Sequence, residues 1–427
     1  MNILIAADSF KGSCSAREVT DTIESAAKAV IPDVAVTKIP VADGGEGTVD
    51  ALVAAMNGTK VRVPAHDPLG RAITAEYGLL PDGSAVIETA AASGLTLLKP
   101  KERDALRAST FGTGELIRHA LEHGVKKIIL GLGGSATTDG GAGLAQALGI
   151  SFLDKTGKEL APGGVHLSEL AQISTAGLLT EASECEFVIA CDVKNRLCGS
   201  SGAAAIFGPQ KGATPDQVRI LDSALDHYAS VLKDQLKCST AETDGSGAAG
   251  GLLCGIIPYF PVTICSGIDL VLDLTNFDEH VKLADLVITG EGRIDSQSAL
   301  GKVPVGVASR AKKIRNVPVV AIAGAKGEGC EALYKFGIDA IFDTVPGIIH
   351  LKRPWNMQRR IWSGLLKMFF GFSSRAVRSN SGNFCSHIYG ICMDLHVKSK
   401  NAAATVTVPG IVSTKHRSAQ TIRFDPH

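Results

Sequence analysis

The chain has 427 residues, 45% hydrophobic and 20% charged, with 43 Lys+Arg against 43 Asp+Glu. That length suits two domains with substantial cores, and no run of 18 apolar residues is present to cross a membrane. Ten cysteines without CxxC pairs or regular spacing argue for reduced thiols in a cytoplasm, against a disulfide framework or a zinc site.

The charge balance hides an asymmetry. Residues 350–427 carry 12 Lys+Arg against two acids, Asp394 and Asp425, which leaves 31 against 41 in residues 1–349. A basic end of this kind commonly marks a nucleic-acid or membrane tail.

Asn2–Ala7 reads as a first β-strand, and the stretch lacks the basic opening of a signal peptide. Ser15, with Glu18 three residues on, caps a helix to Ala29, and Val34–Pro40 is a second strand. Asp43-Gly44-Gly45-Glu46-Gly47 then leads into a helix over Thr48–Met56. Two βα units in so short a span predict a parallel, doubly wound sheet, whose ligands bind beyond the strands' carboxyl ends. Lys60–Pro64, Ala72–Leu79 and Ser84–Glu88 alternate like strands joined by turns, and Thr113–His123 reads as a helix. His119 and His123 share one face of that helix, predicted to be solvated.

Lys127–Leu130 is a buried strand that runs into Gly131-Leu132-Gly133-Gly134-Ser135-Ala136-Thr137-Thr138-Asp139-Gly140-Gly141-Ala142-Gly143 and a helical pattern from Leu144. A strand, a Gly-rich turn and a helix present free N–H groups to an anion, and the hydroxyls add donors. Farther on come a strand Phe187–Asp192, a helix Pro215–Lys237, and the βα alternation of Leu283–Ile288, Pro304–Lys313, Val317–Ala323 and Ala340–Asp343. Residues 61–270 therefore read as a second domain inserted into a Rossmann-like one formed by residues 1–60 and 271–347, followed by an atypical tail, 348–427.

Several of these loops carry chemistry. Asp8-Ser9-Phe10-Lys11-Gly12-Ser13 offers a carboxylate, two hydroxyls and a lysine suited to a phosphate or carboxylate substrate. Asp43 suits Mg²⁺ or a substrate hydroxyl, Asp192 ends its strand as a metal-binding or basic carboxylate, and Lys211 reads as another exposed lysine. Gly290-Glu291-Gly292-Arg293-Ile294-Asp295 reads as a loop with two acids and an arginine. The chain lacks GxxxxGK[ST], HExxH, GxSxG and the HRD and DFG elements, which excludes the enzyme classes built on them. Gly131–Ala136 matches GxGxxA with Asp154 eighteen residues on, so an NAD-dependent dehydrogenase is the rival reading.

Together, Asp8–Ser13, Pro40–Thr48, Gly131–Gly143, Cys191–Asn195 with Gly208–Ala213, Ser246–Gly251 and Gly290–Val307 resemble, in order, the motifs of the bacterial type I glycerate kinases. The resemblance covers about residues 1–347. It implies ATP- and Mg²⁺-dependent phosphorylation of D-glycerate to 2-phosphoglycerate, in breakdown of sugar acids or glyoxylate. The implied fold is a Rossmann-like (flavodoxin-like) parallel-sheet domain interrupted by a mixed α/β domain, with the site between them. On this reading Gly133, Gly134, Ser135, Thr137 and Thr138 take the nucleotide's phosphates. Lys11 holds the glycerate carboxylate or the transferring phosphoryl group, with Ser9, Gly44, Gly45, Lys211 and Arg293 also lining the substrate. Asp43, Asp192 and Asp295 compete for metal ligation and for the hydroxyl proton, the catalytic set being Lys11, Asp43 and Asp192 and the metal set Asp192 and Asp295. The partners are small molecules only, with no nucleic acid or membrane, in a cytoplasmic protein with a homodimer as the candidate assembly.

The tail departs from the family. Leu351-Lys352-Arg353-Pro354-Trp355-Asn356-Met357-Gln358-Arg359-Arg360 replaces an acidic, alanine-rich helix, as an out-of-frame reading of the gene's end would. One helix near 354–370 and disorder beyond Phe372 are expected there. An inactive or sensor-type glycerate-binding protein is the reading that follows if the altered end abolishes turnover.

Overall fold

The computed structural model describes residues 1–344 apart from Pro32, so the expectations for the tail lie outside the described residues. The strands are β1 (Asn2–Ala7), β2 (Ala35–Pro40), β3 (Thr59–His66), β4 (Ala72–Leu79), β5 (Ala85–Glu88), β6 (Lys127–Gly131) and β7 (Ser151–Leu153). They continue as β8 (Gln172–Ser174), β9 (Glu186–Ala190), β10 (Val262–Cys265), β11 (Leu286–Ile294), β12 (Val319–Lys326) and β13 (Ala340–Asp343).

The first sheet has the order β13-β12-β11-β1-β2 and is parallel throughout. Its strands are near-continuous apolar runs, such as Ile3–Ala7, because helices cover both faces. In chain order this is the flavodoxin-like arrangement, and the connections leave β1 and β11 in opposite directions. That makes the gap between β1 and β11 the switch point at which such sheets bind ligands. The second sheet, β10-β9-β6-β5-β4-β3, draws its strands from the stretch between β2 and β11. It is parallel from β10 to β5 and antiparallel from β5 to β3, where outward polar and inward apolar residues alternate. β7 and β8 form a separate hairpin.

One core joins the two sheets. Leu4, Ile39 and Val287 belong to the same buried cluster as Val86, Ile129 and Val188. The helix Thr48–Met56 packs on β2 and on β4 and β5. The helix Gly267–Leu274 packs on β9 and contributes Ile268, Val271 and Leu272 to the shared cluster. The boundary expected at 270/271 falls inside this helix. β10 and the helices Gly267–Leu274 and Phe277–Leu283 have no counterpart in the predicted elements, since pieces of four to eight residues are too short for a period to stand out. β11 also runs on to Ile294, so Gly290–Arg293 is strand where a loop was predicted; β12 stays paired with it as far as Lys326. The histidine pair is not simply solvated: His119 stacks on His123 and hydrogen-bonds the buried Tyr77 hydroxyl at 3.2 Å.

Candidate active site

The carboxyl ends of β2, β6 and β9 meet where the two sheets face each other. The loop after β2 begins an Asx turn, with Asp43 Oδ1 accepting from Gly45 N at 3.2 Å, and passes into the helix Thr48–Met56. The loop after β6 lies directly on it. A Cβ at Gly131 would stand 2.5 Å from the Gly44 carbonyl oxygen, and one at Gly133 would stand 2.6 Å from Gly45 Cα. These glycines let two backbones touch. The contact closes a cleft of about 280 Å³ lined by Asp43, Gly44, Gly45, Gly133, Gly134, Ser135, Asp192 and Lys211, among others.

Lys211 is not the exposed lysine predicted from sequence. It is 2% exposed, turned inward by the short 3₁₀ helix Pro209–Lys211. Its Nζ donates to Ser135 Oγ at 3.1 Å and to the Thr137 carbonyl at 2.5 Å, holding the Gly-rich loop from within. Burial pushes the ammonium down to about 7, with Asp139 opposing.

The remainder of that loop is committed to structure. Asp139 is fully buried and accepts from Thr110 N and Oγ1 (2.7 and 2.8 Å) and from Gly141 N and Gly143 N (both 3.3 Å). The free N–H groups expected at the following helix, Ala142–Ala147, are therefore partly filled by the protein's own carboxylate. Burial raises this carboxyl, and the four hydrogen bonds oppose it. Thr137 and Thr138 are fully buried, outside the cleft's lining, and their hydroxyls have no hydrogen-bond partner among the described residues. The GxGxxA match dissolves likewise: its first two glycines serve loop contact, and half-buried Asp154 closes its own turn onto Thr156 and Lys158.

Asp192 lies two residues beyond β9, and its Oδ1 accepts from Gly267 N at 3.1 Å. Burial raises its carboxyl; Gly267 and Ser266 draw it back, while Asp43 and Asp269 push it further up. Two further acids at the first sheet's switch point feel Asp43. Asp8, 5% exposed, follows β1, and its backbone N–H donates to the Gly290 carbonyl of β11. It is driven up to about 7 by burial and then by Asp43, against the Ser9 N–H and Lys11. Glu291 on β11 is raised by burial, with Asp43 adding to it and the Ser298 hydroxyl and Lys302 opposing. The sequence reading named neither Asp8 nor Glu291 as a site residue. Their signal was position, Asp8 just beyond β1 and Glu291 within β11, strands that turned out to be neighbours.

Ser9 and exposed Lys11 lie on the other side of the Asp43–Gly47 loop. They line a wider cleft of about 550 Å³ with Glu46, Gly47, Lys60 and Glu88. Arg293 and Asp295 line neither cleft. Arg293 is 70% exposed at its side chain and bonds Asp295 at 3.0 Å, while Asp295 also accepts from Gln297 N. Asp295 is held below the usual carboxylate range, first by that N–H and then by Arg293. The geometry thus gathers Asp43, Asp192, Lys211 and Gly133–Ser135 on one cleft, places Lys11 and Ser9 on the next, and leaves Arg293 and Asp295 apart.

Comparison with known proteins follows the same lines. A model of the glycerate kinase family matches residues 3–363. A glycerate kinase of Bacillus subtilis (strain 168) is 49% identical over 353 residues, 82% of this chain and 92% of the relative. A glycerate 2-kinase of Escherichia coli (strain K12) is 46% identical over 349 residues, 82% and 91% of the two chains. A crystal structure described as glycerate kinase 2 from Salmonella typhimurium LT2 superposes with a TM-score of 0.81 at 44% identity, covering 88% of this chain and 99% of that one.

Proposed function

The chain belongs to the glycerate kinase family, and from that premise we propose that it transfers the γ-phosphoryl group of ATP to the 2-hydroxyl of D-glycerate. The choice of hydroxyl follows the name of the Escherichia coli relative. The observation that carries the reading is the convergence of Asp43, Asp192, Lys211 and the Gly133–Ser135 loop on one cleft at the strands' carboxyl ends. Phosphoryl transfer needs cations and N–H donors around the moving group and a carboxylate at the attacking hydroxyl, and little else from the protein.

In this reading Gly133, Gly134 and Ser135 receive the nucleotide's phosphates, with buried Lys211 behind them. Asp43 accepts the proton of the attacking hydroxyl as the oxygen–phosphorus bond forms and ADP leaves. Ser9 and Lys11, across the Asp43–Gly47 loop, hold the glycerate carboxylate.

The donor set fits Mg²⁺: Asp43 and Asp192 are hard oxygen ligands on a common cleft, and Asp43 already raises Asp192 by repulsion. Among the described residues no group of three or more His, Cys, Asp or Glu side chains is placed to cage an ion. Asp192, with Asp43 beside it, would therefore hold the metal jointly with substrate phosphates, as kinases do. When bound, Mg²⁺ neutralises charge building on the phosphoryl oxygens.

The test is ADP release with D-glycerate and a panel of other hydroxy acids, followed by ³¹P NMR of the product. Turnover selective for D-glycerate with 2-phosphoglycerate as product is expected. No turnover with glycerate would sink the reading, and 3-phosphoglycerate as the product would overturn the choice of hydroxyl.

A further inference from the structure

We propose that Glu88 is a positioning residue: a carboxylate of the second sheet that caps a helix of the first and thereby sets the loop carrying Asp43. The helix Thr48–Met56 starts at Gly47, which has φ +96° and no side chain to cap the first turn. Its free donors are met from outside. Glu88 Oε1 accepts from Gly47 N at 3.0 Å and from Val49 N at 2.8 Å. A carboxylate at a helix N-terminus is favoured by the helix dipole as well as by these two bonds.

Glu88 is itself firmly placed. It is the last residue of β5, paired with Gly131 of β6, and the N–H of the next residue, Thr89, donates to the Gly131 carbonyl at 2.9 Å. Gly131 is also where the two loops touch, against the Gly44 carbonyl. The capping bonds and the loop contact therefore join the two sheets at two points, with Asp43 immediately before the second. Burial raises the Glu88 carboxyl, while the Gly47 and Val49 N–H groups draw it down, so the interaction is made in partly desolvated surroundings. Losing it would leave two helix donors unmet and free Gly44–Gly47 to shift; a shift of about 1 Å at a catalytic group can cost on the order of 100-fold in rate.

Three variants in the full-length chain test this, read by kinase turnover and by hydrogen exchange at the Gly47 and Val49 amides. Glu88→Ala should lower kcat by about 10- to 100-fold, with KM for ATP within about threefold of the parent, and both amides should lose protection. Glu88→Gln, whose amide oxygen can accept both bonds, should restore kcat to within about fivefold and keep protection. Glu88→Asp keeps the charge but is one methylene shorter; it should resemble Glu88→Ala, and it stands in if the alanine variant does not fold. Full kcat in Glu88→Asp or Glu88→Ala, or failure of Glu88→Gln to restore it, would overturn the proposal. Only the turnover arm rests on the kinase reading. If the parent chain turns over no glycerate, that reading fails, while unchanged amide protection in Glu88→Asp would still refute the cap.

Discussion

The two clefts beside the Asp43–Gly47 loop each hold a lysine near acids, yet they differ in physics. In the smaller cleft Lys211 is buried, anchored by two hydrogen bonds and pushed down to about 7. In the wider one Lys11 is exposed beside Glu46 and Glu88. Burial is costly for a cation, and it persists only where the surrounding structure compensates for it. The difference teaches that residue type marks a candidate, whereas desolvation marks the place where charge acts most strongly on a ligand.

The largest effect expected is at the carboxylates of the smaller cleft. Asp43→Ala and Asp192→Ala should each cost about 10²- to 10⁴-fold in turnover while circular dichroism shows an intact fold. Near-parental turnover in both variants at saturating Mg²⁺ would move the chemistry out of this cleft.

Asp8 bears on both clefts, through Asp43 and through Lys11. Its folded value of about 7 lies above the 3.8 of a free aspartate, so the folded state holds the proton more tightly. Its contribution to stability is therefore complete below pH 4 and lost as pH rises through 7, about 4 kcal/mol in all. Denaturation by urea should find Asp8→Asn more stable than the parent at pH 8 and no more stable at pH 4. A gain of equal size at both values would remove proton linkage as the cause.

The lysines provide the direct contrast. Lys211→Met should lower kcat/KM by about 100-fold, the size expected when the Gly133–Ser135 loop it anchors shifts by about 1 Å. Lys11→Met should cost about tenfold or less, mostly in KM for glycerate. Equal losses in the two variants would erase the distinction drawn from burial.

The smallest effect concerns the loop contact that separates the clefts. Gly133→Ala places a methyl 2.6 Å from Gly45 Cα and should cost about 1–3 kcal/mol by thermal denaturation. Gly12→Ala, with nothing within 4 Å but φ +74°, should cost about 1 kcal/mol through backbone strain alone. The reverse order would mean that the loops yield easily.

Much of the architecture was legible in the residues themselves. The apolar run of β1, the Ser15–Glu18 capping box and the helix Thr48–Met56 follow from local pattern, because burial on both faces and an unmet helix end leave marks within a few residues. The ordered loop motifs likewise pointed to the glycerate kinase family. Site geometry was less legible, because it depends on which strand ends become neighbours. Asp8 and Glu291 are 283 positions apart in sequence, yet Asp8 directly follows β1 and Glu291 lies on β11, which pairs with it.

The sequence by itself determined the element types, the carboxyl-end placement of the polar loops and the presence of carboxylates and lysines among glycines. Only the tertiary structure decided that Lys211 is buried, that Asp139 takes up the Gly141 and Gly143 N–H groups, and that Arg293 and Asp295 pair with each other outside the cleft. The physical reason is that solvation and hydrogen-bond partners belong to the assembled environment of a side chain, and most of that environment comes from distant parts of the chain.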